Sequence, residues 1–259
     1  WGVDRFLTDP LIVPKLNAFR TELGLPRVSR VFREWVHSPQ CVIALFPDWF
    51  APRQPDWPAA FRFTGFPQYD ESDQQQLSPG LLRFLDSGEP PIVFTPGSAN
   101  QNAAAFFRGA VDAAARLNRR ALLLTKFTEH LPTLPATVHH ETYAPLSRLL
   151  PRCALLVHHG GIGTLAQALA AGVPQLTMPM GFDQPDNTSR LLRLGVARWV
   201  SPAQFTGDRV APLLNDLLTD PGVASACAKY AALLKNDQAL VRTCELLEAL
   251  SSRSAARDA

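Results

Sequence analysis

Hydrophobic and polar positions alternate in blocks along the second half of the chain. Between Cys153 and Phe182, thirty consecutive residues carry no charge, although 19% of the chain is charged. This stretch divides into an apolar run at 154–158, a glycine turn, a helical pattern at 163–171 and a second apolar run at 175–178. That order predicts one β-α-β unit, which is uncharged because it is interior or faces a ligand.

The same alternation continues on both sides of this unit. Short apolar runs predict further strands at 92–95, 121–125 and 137–139. Apolar positions spaced three to four residues apart predict helices at 103–117, 184–194, 208–218, 223–234 and 239–250. The alternation predicts an α/β fold, a Rossmann-like doubly wound parallel sheet with helices on both faces.

Residues 1–66 do not show this alternation of strands and helices. They offer a helix near 14–23, one strand at 41–46 and a proline-rich run at 47–58. Because one strand cannot make a sheet, we expect this segment to be the C-terminal remnant of a preceding domain. The polar residues 67–89 are predicted to be a linker, and residues 90–259 the ligand-binding domain. The chain starts at Trp1 with neither an initiator Met nor a signal-like segment, so we expect a piece of a longer protein.

Composition narrows the class of protein. A hydrophobic content of 46% predicts a buried core, and a net charge of +2 makes nucleic acid an unlikely partner. The uncharged stretch is broken by histidines, glycines and prolines, so we expect no transmembrane segment. Four cysteines without a C-x-x-C pair favour neither a zinc knuckle nor a disulfide framework, and we expect a cytoplasmic protein.

The most informative motif is His-His-Gly-Gly-Ile-Gly-Thr at residues 158–164. In an open parallel sheet, a glycine turn between a strand and a helix lets backbone N–H groups reach a phosphate at the helix N-terminus. The alternative is a core histidine beside a packing glycine. The spacing of the three glycines favours the interpretation as a ligand-binding turn.

Other candidate residues also follow predicted strands. Asp183 and Gln184 suit the vicinal hydroxyls of a sugar, or form a helix cap. Ser98 follows the first strand of the larger domain, and Tyr143 can stack on a base.

The histidine pairs His139-His140 and His158-His159 are candidate metal ligands. Adjacent residues of a strand point to opposite faces, so each pair offers one ligand to a common ion. No cysteine or aspartate cluster supports such a site, and we expect no metal.

Taken together, these motifs resemble the nucleotide-sugar signature of family 1 glycosyltransferases. The ordered string comprises Tyr-Ala-Pro at 143–145, Leu-Leu-Pro-Arg-Cys at 149–153, the glycine motif at 158–164, Ala-Gly-Val-Pro at 171–174 and Asp-Gln at 183–184. Segments 35–40, 45–50 and 64–67 look like the closing part of the acceptor domain in bacterial members. Among these, the chain is similar to the rhamnosyltransferases of rhamnolipid synthesis.

The resemblance implies a GT-B enzyme whose donor-binding half is residues 90–259. It assigns the donor diphosphate to Ser98, His159, Gly161, Gly163 and Thr164. It assigns the base and ribose to Tyr143, Ala144 and Gln167, although plant members of the family carry a ribose-binding Glu where this chain has Gln167. It assigns the sugar hydroxyls to Asp183 and Gln184.

The function implied is inverting transfer of a hexosyl group from a UDP- or dTDP-sugar to a hydroxyl of a lipid or small hydrophobic acceptor. No cofactor beyond this nucleotide-sugar co-substrate is expected. The general base is expected early in the acceptor domain, so no catalytic residue is assigned and the chain alone is expected to be inactive. A lipid acceptor suggests a location peripheral to the inner membrane. The alternatives are a non-catalytic nucleotide-sugar binding module and a nucleotide-sugar 2-epimerase.

Overall fold

The computed structural model describes residues 4–97, 103–235 and 237–255, with the backbone alone for 251–255. The chain forms two compact units. The larger is Phe66–Gln238, and the smaller combines the described residues up to Gly65 with the C-terminal helix.

The smaller unit contains the helix α1 (Asp9–Glu22) and the strands β1 (Val42–Ala44) and β2 (Phe61–Phe63). Short π-helical turns lie at Asp4–Thr8 and Val31–Trp35. The expectation of a single strand is wrong, because β2 pairs in parallel with β1. The strand β2 is only three residues long and follows a proline-rich run, which hides its alternating pattern.

The larger unit is built on one six-stranded parallel sheet with the strand order β5-β4-β3-β6-β7-β8. Its strands are β3 (Ile92–Thr95), β4 (Ala121–Leu124), β5 (Val138–Glu141), β6 (Leu155–His158), β7 (Gln175–Thr177) and β8 (Ala197–Trp199). The chain winds outward from β3 to β5 and then returns to lay β6 on the other side of β3. The sheet therefore has a topological switch point between β3 and β6.

Helices cover both faces of this sheet, as a doubly wound fold requires. They are α2 (Pro79–Asp86), α3 (Ala104–Arg116), α4 (Leu146–Leu149), α5 (Ile162–Ala171), α6 (Gln184–Leu194), α7 (Gly207–Thr219) and α8 (Pro221–Leu234). Short 3-10 turns lie at Thr128–His130, Leu150–Arg152 and Pro202–Gln204. Leu122 and Leu156 are buried in one core with residues of α2 and α5. On another side of the unit, α3 packs against α7.

The segment 67–89 differs from the predicted linker because it contains α2. Ser78 caps this helix by accepting the N–H of Leu81 at 3.0 Å. Leu81 and Leu85 are buried in the core of the larger unit. The polar, glutamine-rich residues before α2 masked its apolar face in the sequence.

The C-terminal helix α9 (Ala239–Ala255) groups with the smaller unit rather than with the predicted domain 90–259. Its Arg242 guanidinium donates two hydrogen bonds to the carbonyl of Thr64, at 2.9 and 2.5 Å. A contact between residues so far apart in the chain leaves no local signal. Within the described part of the chain, no helix is both long and apolar enough to cross a bilayer.

Candidate functional site

A cleft of about 1000 Å³ opens at the carboxyl edge of the larger sheet. Five strands contribute residues to it: Gly97 follows β3, Lys126 follows β4, Tyr143 follows β5, His159 follows β6 and Met180 follows β7. The cleft therefore lies at the switch point of the sheet, where open α/β folds bind their ligands.

The first histidine of the glycine motif is a structural residue. His158 ends β6, is fully buried, and bonds Gln175 Oε1 through its Nε2 at 3.0 Å. Its Nδ1 accepts the N–H of Gly160 at 3.1 Å, so the proton of the neutral ring lies on Nε2. Burial lowers the pKa of His158 to about 3, with the neighbouring His159 adding to the effect and the bond to Gln175 opposing it. His158 thus holds the glycine turn onto the sheet.

The second histidine faces the cleft. His159 Nδ1 is buried and has no hydrogen-bond partner among the described residues. Burial lowers the pKa of His159, and the carboxylate of Asp183 opposes that effect, so the ring is neutral at pH 7. Burying a polar atom without a hydrogen-bond partner costs free energy. A ligand atom that bonds Nδ1 would remove this cost, so Nδ1 is a candidate ligand contact.

Two glycines make room for this ring. A Cβ on Gly97 would lie 2.9 Å from His159 Nδ1, and one on Gly161 would collide with His159 Nε2. Gly97 also has a φ of +95°, a conformation that favours glycine. The glycines therefore set the position of the imidazole as well as the path of the loop.

The helix α5 points its N-terminus into the same cleft. Its N-cap residue is Gly161, which supplies no side-chain cap, and Gly163 and Thr164 in the first turn line the cleft. A Cβ on Gly163 would meet no atom of the described residues within 4 Å. The uncapped N–H groups and the positive end of the helix dipole suit an anion.

The Asp183-Gln184 pair is tied to the glycine turn. Asn187 Nδ2 donates both to Asp183 Oδ2 at 2.8 Å and to the carbonyl of Gly160 at 3.0 Å. Gln184 Oε1 accepts the N–H groups of Met180 and Gly181 at 2.8 and 3.3 Å. Asp183 stands at the N-cap position of α6 but makes no capping hydrogen bond. Gln184 lines the cleft, whereas Asp183 lies beside it and acts on His159 through its charge.

The opposite side of the cleft carries the predicted base-binding residues. Tyr143 and Ala144 both line it, with Tyr143 exposed and Ala144 buried. The hydroxyl of Tyr143 donates to the carbonyl of Asp70 at 2.7 Å, which fixes the ring at the rim. Burial raises the pKa of Tyr143, and Glu71 and Asp70 add to the effect.

One predicted residue lines a different cavity. Gln167 is buried and lines a separate cavity of about 470 Å³, together with Gln68, Asp70 and Ala171. Ser98 lies outside the described residues. The roles predicted for these two residues in binding ribose and phosphate stay predictions.

The described residues hold no group of three or more His, Cys, Asp or Glu side chains arranged for a metal ion. Three of the four candidate metal-ligand histidines bond other groups, and His158 is one of them, as described above. His139 Nε2 lies 2.9 Å from Glu141 Oε1, and His140 Nε2 donates to the carbonyl of Thr125 at 2.8 Å.

Sequence reasoning missed three residues of this region. Lys126 lines the cleft directly after the apolar strand β4, and its place at a strand end was a usable signal. Phe182 lines the cleft almost fully exposed, with a φ of +58° that is unusual for a bulky residue. Asn187 joins the two loops across 27 residues and left no signal in the sequence.

The parallel doubly wound sheet, with a glycine turn and a helix N-terminus at its switch point, places this chain in the class of α/β folds whose ligand sites lie at the strand ends. Residues 110–243 match the family model described as erythromycin biosynthesis protein CIII-like, C-terminal domain. The match spans about half of the chain, and the chain belongs to this family.

Two relatives of this chain are named as glycosyltransferases. O-mycaminosyltylonolide 6-deoxyallosyltransferase of Streptomyces fradiae is 35% identical over 239 residues, which cover 90% of this chain and 56% of that protein. Vancomycin aglycone glucosyltransferase of Amycolatopsis orientalis is 34% identical over 249 residues, with 91% and 56% covered. This chain therefore spans little more than half the length of these relatives.

Solved structures share the fold. The glycotransferase of kitacinnamycin superposes with a TM-score of 0.79 at 23% identity, covering 96% of this chain and 64% of that one. Spinosyn forosaminyltransferase SpnP superposes with a TM-score of 0.72 at 26% identity, covering 93% and 62%. The expectations of a glycosyltransferase family and of its Rossmann-like fold are confirmed.

Proposed function

We propose that the larger unit binds the nucleoside diphosphate of a sugar donor and that the whole protein transfers the sugar to a hydroxyl acceptor. The observation that carries this proposal is the unpartnered Nδ1 of His159 beside the uncapped N-terminus of α5. Both features suit phosphate oxygens, and Tyr143 provides a ring for the base at the other side of the cleft.

The same groups suit the chemistry of transfer. When an acceptor oxygen bonds to the anomeric carbon, the bond from that carbon to the diphosphate oxygen breaks and its electron pair leaves with the diphosphate. The helix N-terminus and a His159 N–H stabilise that growing negative charge without requiring a metal ion. The acceptor proton must pass to a base, which we assign to no residue lining the cleft.

The direction of displacement and the substrates are part of the proposal. Direct attack opposite the diphosphate inverts the anomeric centre. Relatives are named for tylonolide and vancomycin acceptors, which supports a small hydroxylated acceptor, with a hydroxylated lipid as the other choice. UDP and dTDP are the two expected donor nucleotides.

Titration calorimetry of the chain with UDP, dTDP, UMP and NAD tests the binding step. We expect a nucleoside diphosphate to bind most tightly and added EDTA to leave its affinity unchanged. His159→Ala should weaken diphosphate binding by about 1–3 kcal/mol, the scale of a lost hydrogen bond to a charged group. Asp183→Ala should spare the free diphosphate and weaken only the sugar-linked donor.

His130→Ala is the matched control, because His130 lies outside the cleft. Tighter binding of NAD, a requirement for Mg²⁺, or equal losses in the His159 and His130 variants would contradict the proposal. A transfer assay with UDP-glucose or dTDP-rhamnose against macrolactone and 3-hydroxy fatty acid acceptors tests the second step. An anomer with retained configuration would rule out direct displacement.

A further inference from the structure

The residues that line the cleft are almost free of charge. The described residues that line it include no aspartate and no glutamate, and His159 is neutral at pH 7 because burial lowers its pKa. Among the described lining residues, Lys126 alone brings a positive charge. No carboxylate within the described chain forms an ion pair with it.

The turn that carries Lys126 is held firmly. Thr125 donates its N–H to the carbonyl of Glu141 at 3.1 Å, and its own carbonyl accepts from His140 Nε2 at 2.8 Å. Thr125 Oγ1 also accepts the N–H of Phe127 at 3.1 Å. The Lys126 ammonium lies 5.1 Å from the centre of the Phe127 ring, which supports the side chain without neutralising it.

The strand order places Lys126 between the two ends of the cleft. A ligand that reaches from Tyr143 after β5 to His159 after β6 crosses the ends of β4 and β3. Three strand spacings amount to roughly 14 Å. Lys126, at the end of β4, lies one strand spacing from the Tyr143 end of such a ligand and two from the His159 end. With the base at Tyr143, the ribose and the phosphate next to it are the parts of a nucleoside diphosphate that fall nearest to Lys126.

The negative charge of a nucleoside diphosphate needs more positive charge than the helix N-terminus and His159 supply. A helix N-terminus acts as roughly half of a positive charge, and a neutral histidine adds a hydrogen bond but no net charge. A nucleoside diphosphate carries at least two negative charges, which these groups leave largely uncompensated. We propose that Lys126 binds the phosphate next to the ribose and is the cationic contact of the site. This inference rests on the proposed function.

Titration calorimetry with UDP, UMP and uridine, and with the dTDP series, compares three variants of the chain. Lys126→Met should weaken the binding of both UDP and UMP by about 10-fold and leave the binding of uridine unchanged, because only the phosphates interact with the charge of Lys126. Lys126→Arg should retain most of the affinity. The loss in the Met variant should shrink as NaCl is raised, since salt screens an exposed contact.

Lys229→Met is the matched control. Lys229 Nζ also lies 5.1 Å from the ring of the following residue, Tyr230, but on α8 and away from the cleft. Equal effects of the two Met variants would overturn the inference and show a solvated lysine. A loss for uridine as large as that for UDP would also overturn it, because it would place Lys126 on the base. Failure of the unaltered, folded chain to bind any nucleoside diphosphate would instead overturn the proposed function, and this inference with it.

Discussion

The two walls of the cleft are built differently. The glycine wall comprises residues 158–164 and 180–184, and the tyrosine wall comprises residues 125–126 and 142–146. The glycine wall is held by buried hydrogen bonds of His158 and Asn187 to the backbone of Gly160, and Gln175 bonds the His158 ring from strand β7. The tyrosine wall presents exposed side chains, with Tyr143 anchored to a surface loop through Asp70.

This difference separates two tasks. The glycine wall offers backbone N–H groups and one imidazole in positions set by packing. A small displacement of this loop would therefore remove several contacts to a bound ligand at once. The tyrosine wall offers a ring and an ammonium, each of which contributes independently. We therefore expect substitutions that displace groups of the glycine wall to weaken ligand binding severely, and substitutions in the tyrosine wall to weaken it in graded steps.

The largest expected effect comes from Gly161→Ala. The added Cβ would collide with His159 Nε2, so the ring must leave its position. We expect diphosphate binding to weaken by on the order of 2–3 kcal/mol in titration calorimetry, because the histidine contact is lost and the helix N-terminus is disturbed.

Gly163→Ala is the control in the same loop, since its Cβ would meet no atom of the described residues within 4 Å. Alanine inside a helix should raise the free energy of unfolding by up to about 1 kcal/mol. Ring resonances of His159 in NMR spectra should shift in the Gly161 variant and stay in place in the Gly163 variant. Unchanged His159 resonances in both would refute the steric role of Gly161.

The second effect is loss of stability in acid. The folded pKa of His158 is about 3 and its ordinary value is 6.5, so between these values the unfolded chain binds the extra proton. The contribution of neutral His158 to the free energy of unfolding is complete above pH 6.5 and is lost as the pH falls toward 3. At pH 5, it should lower the free energy of unfolding by about 2 kcal/mol relative to pH 7.

Urea unfolding between pH 7 and pH 5 measures this effect. His159 titrates in the same direction, because burial also lowers its pKa. His158→Gln, which has no group to titrate, should be less stable at pH 7 but should lose less of its stability on acidification. An equally steep pH dependence in that variant would mean that other groups control acid stability.

The smallest effect is expected in the tyrosine wall. Tyr143→Ala should weaken nucleotide binding by about 1 kcal/mol, since the ring no longer stacks on the base. Tyr143→Phe should change it by only a few tenths of that, because it loses the bond to Asp70 and keeps the ring. Titration with UDP and dTDP distinguishes the two. An equal loss in both variants would show that the hydroxyl anchor, rather than stacking, determines the contribution.

The sheet of the larger unit could be predicted because its signals are local. Strands β3 and β6 and helix α6 have the predicted positions to within a residue, since uncharged apolar runs and helical spacing mark them. The helix α2 was missed because its polar neighbours resemble a linker. The placement of α9 was missed because it depends on Arg242 reaching Thr64.

The sequence by itself determined the parallel α/β fold, the glycine turn and the succession of candidate residues at strand ends, because periodicity and glycine spacing act over a few residues. Only the tertiary structure decided that His158 is a buried support while His159 faces the cleft. It also brought Lys126 into the cleft and turned Gln167 toward another cavity. These outcomes depend on strand order and on packing between segments far apart in the chain, which no local pattern encodes.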